Sequence, residues 1–334
     1  MKHSFSFPFS IILILINLLS ACNPTNPTVI ATSAPLSETA ASSKGLRVLA
    51  TTTLVGDVVK NIAGDAINLT VLLPVGADPH SFQPTPQDVA RVSDADLIFA
   101  NGAGLEEFLT PLLESAGATS KVVSVSDGIE LLQSAEALAE QPTQTTATVG
   151  DGQADHQPSI GDPHVWFDPN NVMVWTQNII RVLSEKDPAH ADLYKQNGEK
   201  YINQLKDLDG WIRQQVSLIS ETNRKLVTDH LVFTYFAQRY GFIQEGAVIP
   251  GYSSMAEPSA QEIAALEDTI KNYQIKAIFV AKTVNPSLAE RVAEDTGIKL
   301  VRFYAGSLSE PGSEADTYLK YMHYNVSAIV QALQ

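Results

Sequence analysis

Arg47-Val48-Leu49-Ala50-Thr51-Thr52 is an apolar run closed by hydroxyl residues, and Leu54, Val55, Val58, Val59 and Ile62 follow it at helical spacing up to Gly64. A continuous apolar run of this length reads as a strand buried on both faces. The next stretch changes period from strand to amphipathic helix, with glycine as its stop. A strand that feeds directly into a helix is the opening of a parallel α/β layer.

The same alternation continues outward from that pair. Ile67 to Leu73 reads as a second strand, ending in Pro74-Val75-Gly76 and delivering Asp78-Pro79-His80. Thr85-Pro86-Gln87-Asp88 combines a cap residue, a proline at the first helical position and an acid three residues after the cap, which opens a helix to Ser93. Leu97 to Ala100 is a third strand, Leu105 to Ala116 a helix and Val122 to Val125 a fourth strand. Residues Gln133 to Gly161 then break the pattern with Gln, Thr, Gly and Asp. That is longer than a structureless loop in a compact domain usually runs.

Beyond this loop stands Asp162-Pro163-His164-Val165-Trp166-Phe167-Asp168-Pro169, followed by helical sequence from Asn171 to Ser184. After Asp187-Pro188, Tyr194, Tyr201, Leu205, Leu208, Ile212, Val216 and Ile219 keep steps of three, four and seven. This predicts a linking helix over 189–220, either continuous or broken near Gly210. Alternation then resumes: a strand from Lys225 to Thr228 ending at His230, a helix from Phe233 to Tyr240 and a strand within Phe242 to Val248. A helix from Ser259 to Asn272, a strand from Ala277 to Val280, a helix from Pro286 to Thr296, a strand from Lys299 to Phe303 and a closing helix from Asp316 to Leu333 complete it. The expected architecture is α/β: an N-terminal lobe over 45–188 and a C-terminal lobe over 221–334, each with a largely parallel sheet flanked by helices. The long helix is their spine, and a cleft lies between them.

The N-terminal segment has a different character. Lys2 and His3 precede an apolar run from Phe9 to Leu19, too short for a helix of ~20 residues to span a bilayer, and matching the core of a secretory leader over 1–21. Leu19-Ser20-Ala21-Cys22 resembles the bacterial lipoprotein box, in which the cysteine is lipidated; the alternative is an ordinary leader beside a chance cysteine. Cys22 is the single cysteine of the chain, so no internal disulfide is available. Two or more acyl chains there would anchor the protein stably. Residues 22–44, rich in Thr, Ser, Pro and Ala, read as a flexible tether. The chain carries −15 at neutral pH, and losing Lys2 with the leader leaves 37 acids against 21 bases, or −16. Such a balance argues against nucleic acid as a partner.

Seven histidines occur in 334 residues, and three lie in short punctuated contexts: Asp78-Pro79-His80, Asp162-Pro163-His164 and Thr228-Asp229-His230. His80 and His230 stand just beyond the carboxyl ends of expected parallel strands, where open α/β sheets bind ligands, and His164 stands at the lobe junction. Imidazole is the commonest protein ligand for a borderline metal. The three are separated by 84 and 66 residues, so spacing is silent, and each alone could be a solvated strand-end residue. Together they form a candidate metal site. Three histidines with an open fourth position also describe a hydrolytic zinc centre. Against that stand the lack of a His-Glu-x-x-His segment and Glu257, in Ala256-Glu257-Pro258-Ser259, which reads as a cap for the next helix rather than a base.

Across essentially the whole region after the tether, the chain resembles the zinc- and manganese-binding lipoproteins that serve ABC importers. The resemblance rests on Pro74 to Pro86, Asp162 to Pro169, His230-Leu231-Val232-Phe233-Thr234-Tyr235-Phe236-Ala237-Gln238-Arg239-Tyr240-Gly241, Ala315-Asp316-Thr317-Tyr318-Leu319 and Tyr324-Asn325-Val326, in the family's order. It implies that His80 and His164 bind the metal and that His230 holds a position that is His in zinc-type members and Glu in manganese-type ones. It also implies a monomer that captures a divalent ion and turns nothing over, a membrane permease as partner, and a lipid-anchored place outside the cytoplasm. A surface role as an adhesin is sometimes attributed to relatives, and nothing in these residues adds to it.

The departures bear on the metal. Gly306, in Phe303-Tyr304-Ala305-Gly306-Ser307-Leu308, stands where many members place an aspartate ligand. Lys282 ends a strand that often ends in glutamate, and Gln83 stands where glutamate is frequent. The loop before Asp162 holds only His156 with Asp151 and Asp155, where zinc-type members often carry many histidines. Three neutral imidazoles and no sure carboxylate suit Zn²⁺, with Mn²⁺, a harder ion, as runner-up. An aspartate at position 306 is expected either to narrow that preference or, if glycine is needed there for a positive φ, to strain the loop.

Overall fold

The computed structural model describes residues 45–133 and 161–334. The segments expected to be leader and tether, Cys22 and the loop residues Asp151, Asp155 and His156 lie outside them. Two four-stranded sheets form, both wholly parallel. The first contains β1 (Arg47–Ala50), β2 (Asn68–Val71), β3 (Leu97–Ala100) and β4 (Val122–Ser124) in the order β2-β1-β3-β4. The second contains β5 (Lys225–Thr228), β6 (Ile243–Ala247), β7 (Ala277–Ala281) and β8 (Lys299–Phe303) in the order β6-β5-β7-β8. The two orders are the same, so in each sheet the order of strand addition switches sides beside the first strand, at β1/β3 and at β5/β7. That is where a crevice opens at the carboxyl ends.

Helices α1 (Thr53–Ala63), α2 (Pro86–Asp94) and α3 (Leu109–Ala116) flank the first sheet; α6 (Thr234–Tyr240), α7 (Ala260–Asn272) and α8 (Ser287–Thr296) belong to the second. The cap read from Thr85 to Asp88 is formed, with Asp88 accepting both the Thr85 amide and hydroxyl. The helix expected from Leu105 starts later. Glu106 is buried and uses its carboxylate to collect the Thr51 hydroxyl and the amides of Asn101 and Gly102, which holds residues 101–106 as a loop. Glu257 is not the cap of α7: Ser259 accepts from the Glu262 amide while the Glu262 carboxylate returns to the Ser259 amide.

Between the lobes run α4 (Pro169–Lys186) and α5 (Ala191–Val216), and the chain closes with α9 (Tyr318–Leu333). The 26 residues of α5 form one helix of about 39 Å, unbroken at Gly210. It packs on α1 and α4 on one side and on α9 on the other. Its inward face, Tyr194, Tyr201, Leu205, Leu208, Ile212 and Val216, joins Trp175 and Ile179 of α4 and Val326 and Ile329 of α9 in one core. That core reaches Leu54 and Phe99 of the first lobe and Phe233 and Phe303 of the second. Gly198 lets α4 and α5 approach, because a Cβ there would lie 2.2 Å from the Ile180 Cδ1. None of the described helices is long and apolar enough to cross a membrane.

Candidate metal centre

All three singled-out histidines meet. One ring nitrogen from each of His80, His164 and His230 lies within 4.8 Å of the others, and among the described residues this cluster contains no carboxylate oxygen. The ring centroids form a near-equilateral triangle of 5.2, 5.2 and 5.5 Å. His80 comes from the loop after β2, His230 from the turn directly after β5, and His164 from the segment before α4. The Nε2 of His80 faces the Nε2 of His164 at 3.1 Å, a contact that needs a shared proton or a shared cation between two lone pairs.

An aspartate stands one or two residues before each histidine, and the structure gives each a task. Asp162 Oδ1 accepts from both the amide and the Nδ1 of His164 at 2.8 Å. A carboxylate that accepts at Nδ1 places the ring proton there and leaves the lone pair on Nε2, the arrangement that presents imidazole to a metal. Asp229 Oδ2 lies 3.4 Å from the Nδ1 of His230 and also accepts the Ala281 amide at 3.2 Å, which ties the turn to β7. Asp78 Oδ1 accepts the His80 amide at 3.1 Å. The pattern Asp-x-His, Asp-x-His, Asp-His was visible in the sequence, but the supporting role of its acids was not drawn from it.

The electrostatics divide the three rings. Burial holds His80 well below the ordinary histidine range, and the other two rings add to the effect. Burial also lowers His164, although Asp162 works against it. His230 is equally buried, but the charges of Asp229, Asp78 and Asp162 outweigh that cost and raise its pKa. His164 and His230 are 1% and 2% exposed, and His80 remains partly open to solvent.

The surrounding scaffold is a set of hydrogen bonds, one within the first lobe and the rest crossing between lobes. Asn101, held beside Glu106, donates to the Pro163 carbonyl at 3.2 Å. Tyr235 of α6 donates to the Asp162 carbonyl at 2.8 Å. Trp166 packs edge-to-face with His164 and donates to the Tyr321 hydroxyl at 2.9 Å, while Tyr318 donates to the Trp166 carbonyl at 2.7 Å. Ser307 and Thr53 join the loop after β8 to the first lobe, through the Gly76 and Leu308 amides, both at 2.9 Å.

Gly306 sits inside this seam. Its φ lies outside the left-handed region, so of the two alternatives for position 306 the strained backbone falls away. Its constraint is steric: a Cβ would lie 2.4 Å from Pro79 Cδ, in the tripeptide that carries His80. Lys282 is paired with Glu314 at 3.2 Å and lies over the Tyr304 ring at 3.9 Å, and Gln83 is exposed.

Comparison with known proteins bears on the family and the fold. The profile of the family described as zinc-uptake complex component A, periplasmic, matches residues 48–332. The manganese-binding lipoprotein MntA of Halalkalibacterium halodurans is 34% identical over 296 residues, covering 88% of this chain and 91% of that protein. The manganese ABC transporter substrate-binding lipoprotein PsaA of Streptococcus pneumoniae is 30% identical over 299 residues, covering 87% and 90%. Among solved structures, the periplasmic zinc-binding protein TroA of Treponema pallidum superposes with a TM-score of 0.74 at 26% identity, over 86% of this chain and 99% of that one. The Mn-bound periplasmic metal-binding protein of Candidatus Liberibacter asiaticus gives 0.72 at 26% identity, over 86% and 100%. With 285 consecutive positions of its body inside the profile and the histidine triad assembled at the lobe seam, the chain belongs to the periplasmic zinc-uptake component A family.

Proposed function

We propose that this protein captures a divalent transition metal, zinc before manganese, on the Nε2 atoms of His80, His164 and His230. The chain is a metal-binding, substrate-binding component of an ABC importer, not an enzyme, and the ion is its cargo. The observation that carries the zinc reading is the donor set: three imidazoles converge and, among the described residues, no carboxylate oxygen joins them. Zn²⁺ takes nitrogen tetrahedrally at about 2.0–2.1 Å, which sets neighbouring nitrogens roughly 3.3 Å apart. The 3.1 Å between His80 and His164 is close to that spacing. Mn²⁺ prefers oxygen and sits at the weak end of the divalent affinity order. The manganese reading is favoured by the relatives named for that ion.

Each of His80→Ala, His164→Ala and His230→Ala is expected to lower Zn²⁺ affinity by orders of magnitude, read by competition against a chelating dye. X-ray absorption of the zinc-loaded parent should show three imidazoles and one further light atom; two or fewer would sink the assignment. Tighter binding of Mn²⁺ than of Zn²⁺ by the parent would instead select manganese.

The same proposal places the body outside the cytoplasm, held to the membrane by lipid on Cys22 through the tether of residues 22–44, from which it reaches a permease. Mass spectrometry of the mature N-terminus tests this, since an unmodified Cys22 contradicts the anchor.

A further inference from the structure

The segment between β6 and α7 joins the two halves of the metal centre at a point away from the histidines. Near its start it is bound to the His230 turn: the Ile249 amide donates to the Asp229 carbonyl at 2.6 Å, and the Leu231 amide donates to the Gly251 carbonyl at 2.9 Å. Three residues later it leaves its own lobe. The Ser254 hydroxyl donates to Oδ2 of Asp78, whose other oxygen holds the His80 amide at 3.1 Å. A continuous path therefore runs from His230 through residues 249–254 to Asp78 and His80. The other hydroxyl on Asp78 Oδ2, that of Ser81 at 3.2 Å, comes from the same loop as the aspartate and does not cross between lobes.

We propose that Ser254 is a positioning residue that governs how fast the bound metal leaves. The proposal rests on the assignment of the three histidines as ligands. A metal held by His80 and His230 departs only when the loops carrying them separate, and that separation must break the Ser254–Asp78 bond. A hydroxyl donating to a carboxylate makes a charge-assisted bond, stronger than one between neutral groups. The bond is made in the closed arrangement and lost in the open one, so removing it acts on release rather than on the ligand set. Ser254 is partly exposed and packs in no core, so its truncation leaves the fold in place.

The test uses the full chain after the tether, loaded with Zn²⁺ and mixed with excess chelator in a stopped-flow instrument. Ser254→Ala is expected to speed release on the order of tenfold, Ser254→Thr to restore the parent rate, and Ser81→Ala to have the smaller effect. The X-ray absorption shell should keep three imidazoles in all of them. Release from Ser254→Ala no faster than from Ser81→Ala overturns the proposal. So does a shell that loses an imidazole in Ser254→Ala, because the serine would then support a ligand instead of closing the lobes. A parent shell with fewer than three imidazoles is a different failure, of the ligand assignment itself, and removes the basis of this proposal with it.

Discussion

At the scale of single residues, Pro79 limits what position 306 can hold beside the proposed metal centre. The gap between them is closed, so a side chain at 306 has to displace the loop that carries His80. The backbone there is available to any residue, which leaves space as the sole obstacle. Gly306→Ala is therefore expected to weaken Zn²⁺ and Mn²⁺ together, through the displaced His80. Gly306→Asp should do the same, without the shift toward Mn²⁺ that an added oxygen ligand would bring. Parallel titrations of both metals with both variants check this; a preserved alanine variant beside an aspartate variant with improved Mn²⁺ binding would show that the loop yields. The histidines themselves were legible because each stands in a short, punctuated context. The Pro79–Gly306 contact was not, since it joins residues more than two hundred positions apart and no local pattern encodes it. Ser254 was hidden for the same reason, because Asp78 reaches it only by tertiary approach, whereas Asp162 and Asp229 stand beside their histidines in the chain.

At the scale of elements, the strands and helices followed from period alone, and the boundaries moved where side chains took over backbone bonding. Thr85 and Asp88 start α2 as their spacing indicates. The start of α3 slips from Leu105 to Leu109 because Glu106 recruits the amides that precede it. The linking helix was open to a break at Gly210, and α5 runs through it, since its apolar face is continuous on both sides of the glycine. Its two glycines have opposite surroundings. Gly210 is exposed and a Cβ there would meet nothing within 4 Å, so Gly210→Ala should stabilise the protein by about 0.5–1 kcal/mol through helix propensity. Gly198 faces Ile180 at closest approach, so Gly198→Val should cost about 1–3 kcal/mol by overpacking the α4–α5 contact. Urea midpoints of the two variants against the parent give both signs in one experiment.

At the scale of the whole molecule, the lobes share a core and several polar ties, one of which is sensitive to acid. Asp57 of α1 accepts the Tyr318 amide at the start of α9 at 2.9 Å. Burial, reinforced by Asp316, raises its carboxyl from 3.8 to about 6. Above pH 6 the folded state therefore holds a charge it has partly desolvated, and below 3.8 the group is neutral whether the chain is folded or not. The stability associated with this proton is full at low pH and is lost as pH rises through 6. Asp57→Asn should consequently stabilise the protein by up to about 2 kcal/mol at pH 7.5, allowing for the residual exposure of the side chain. The gain should vanish near pH 4, measured as the difference in denaturant midpoint between variant and parent. The tyrosines of α9 have a further consequence, for the time course of synthesis. Tyr318 and Tyr321 brace Trp166, which lies against His164, so residues near the end of the chain complete a pocket whose first histidine stands more than two hundred residues earlier. On the proposed ligand assignment, a growing chain carries all three histidines before the helix that braces them, so the order of synthesis makes the ordering of the site a late event.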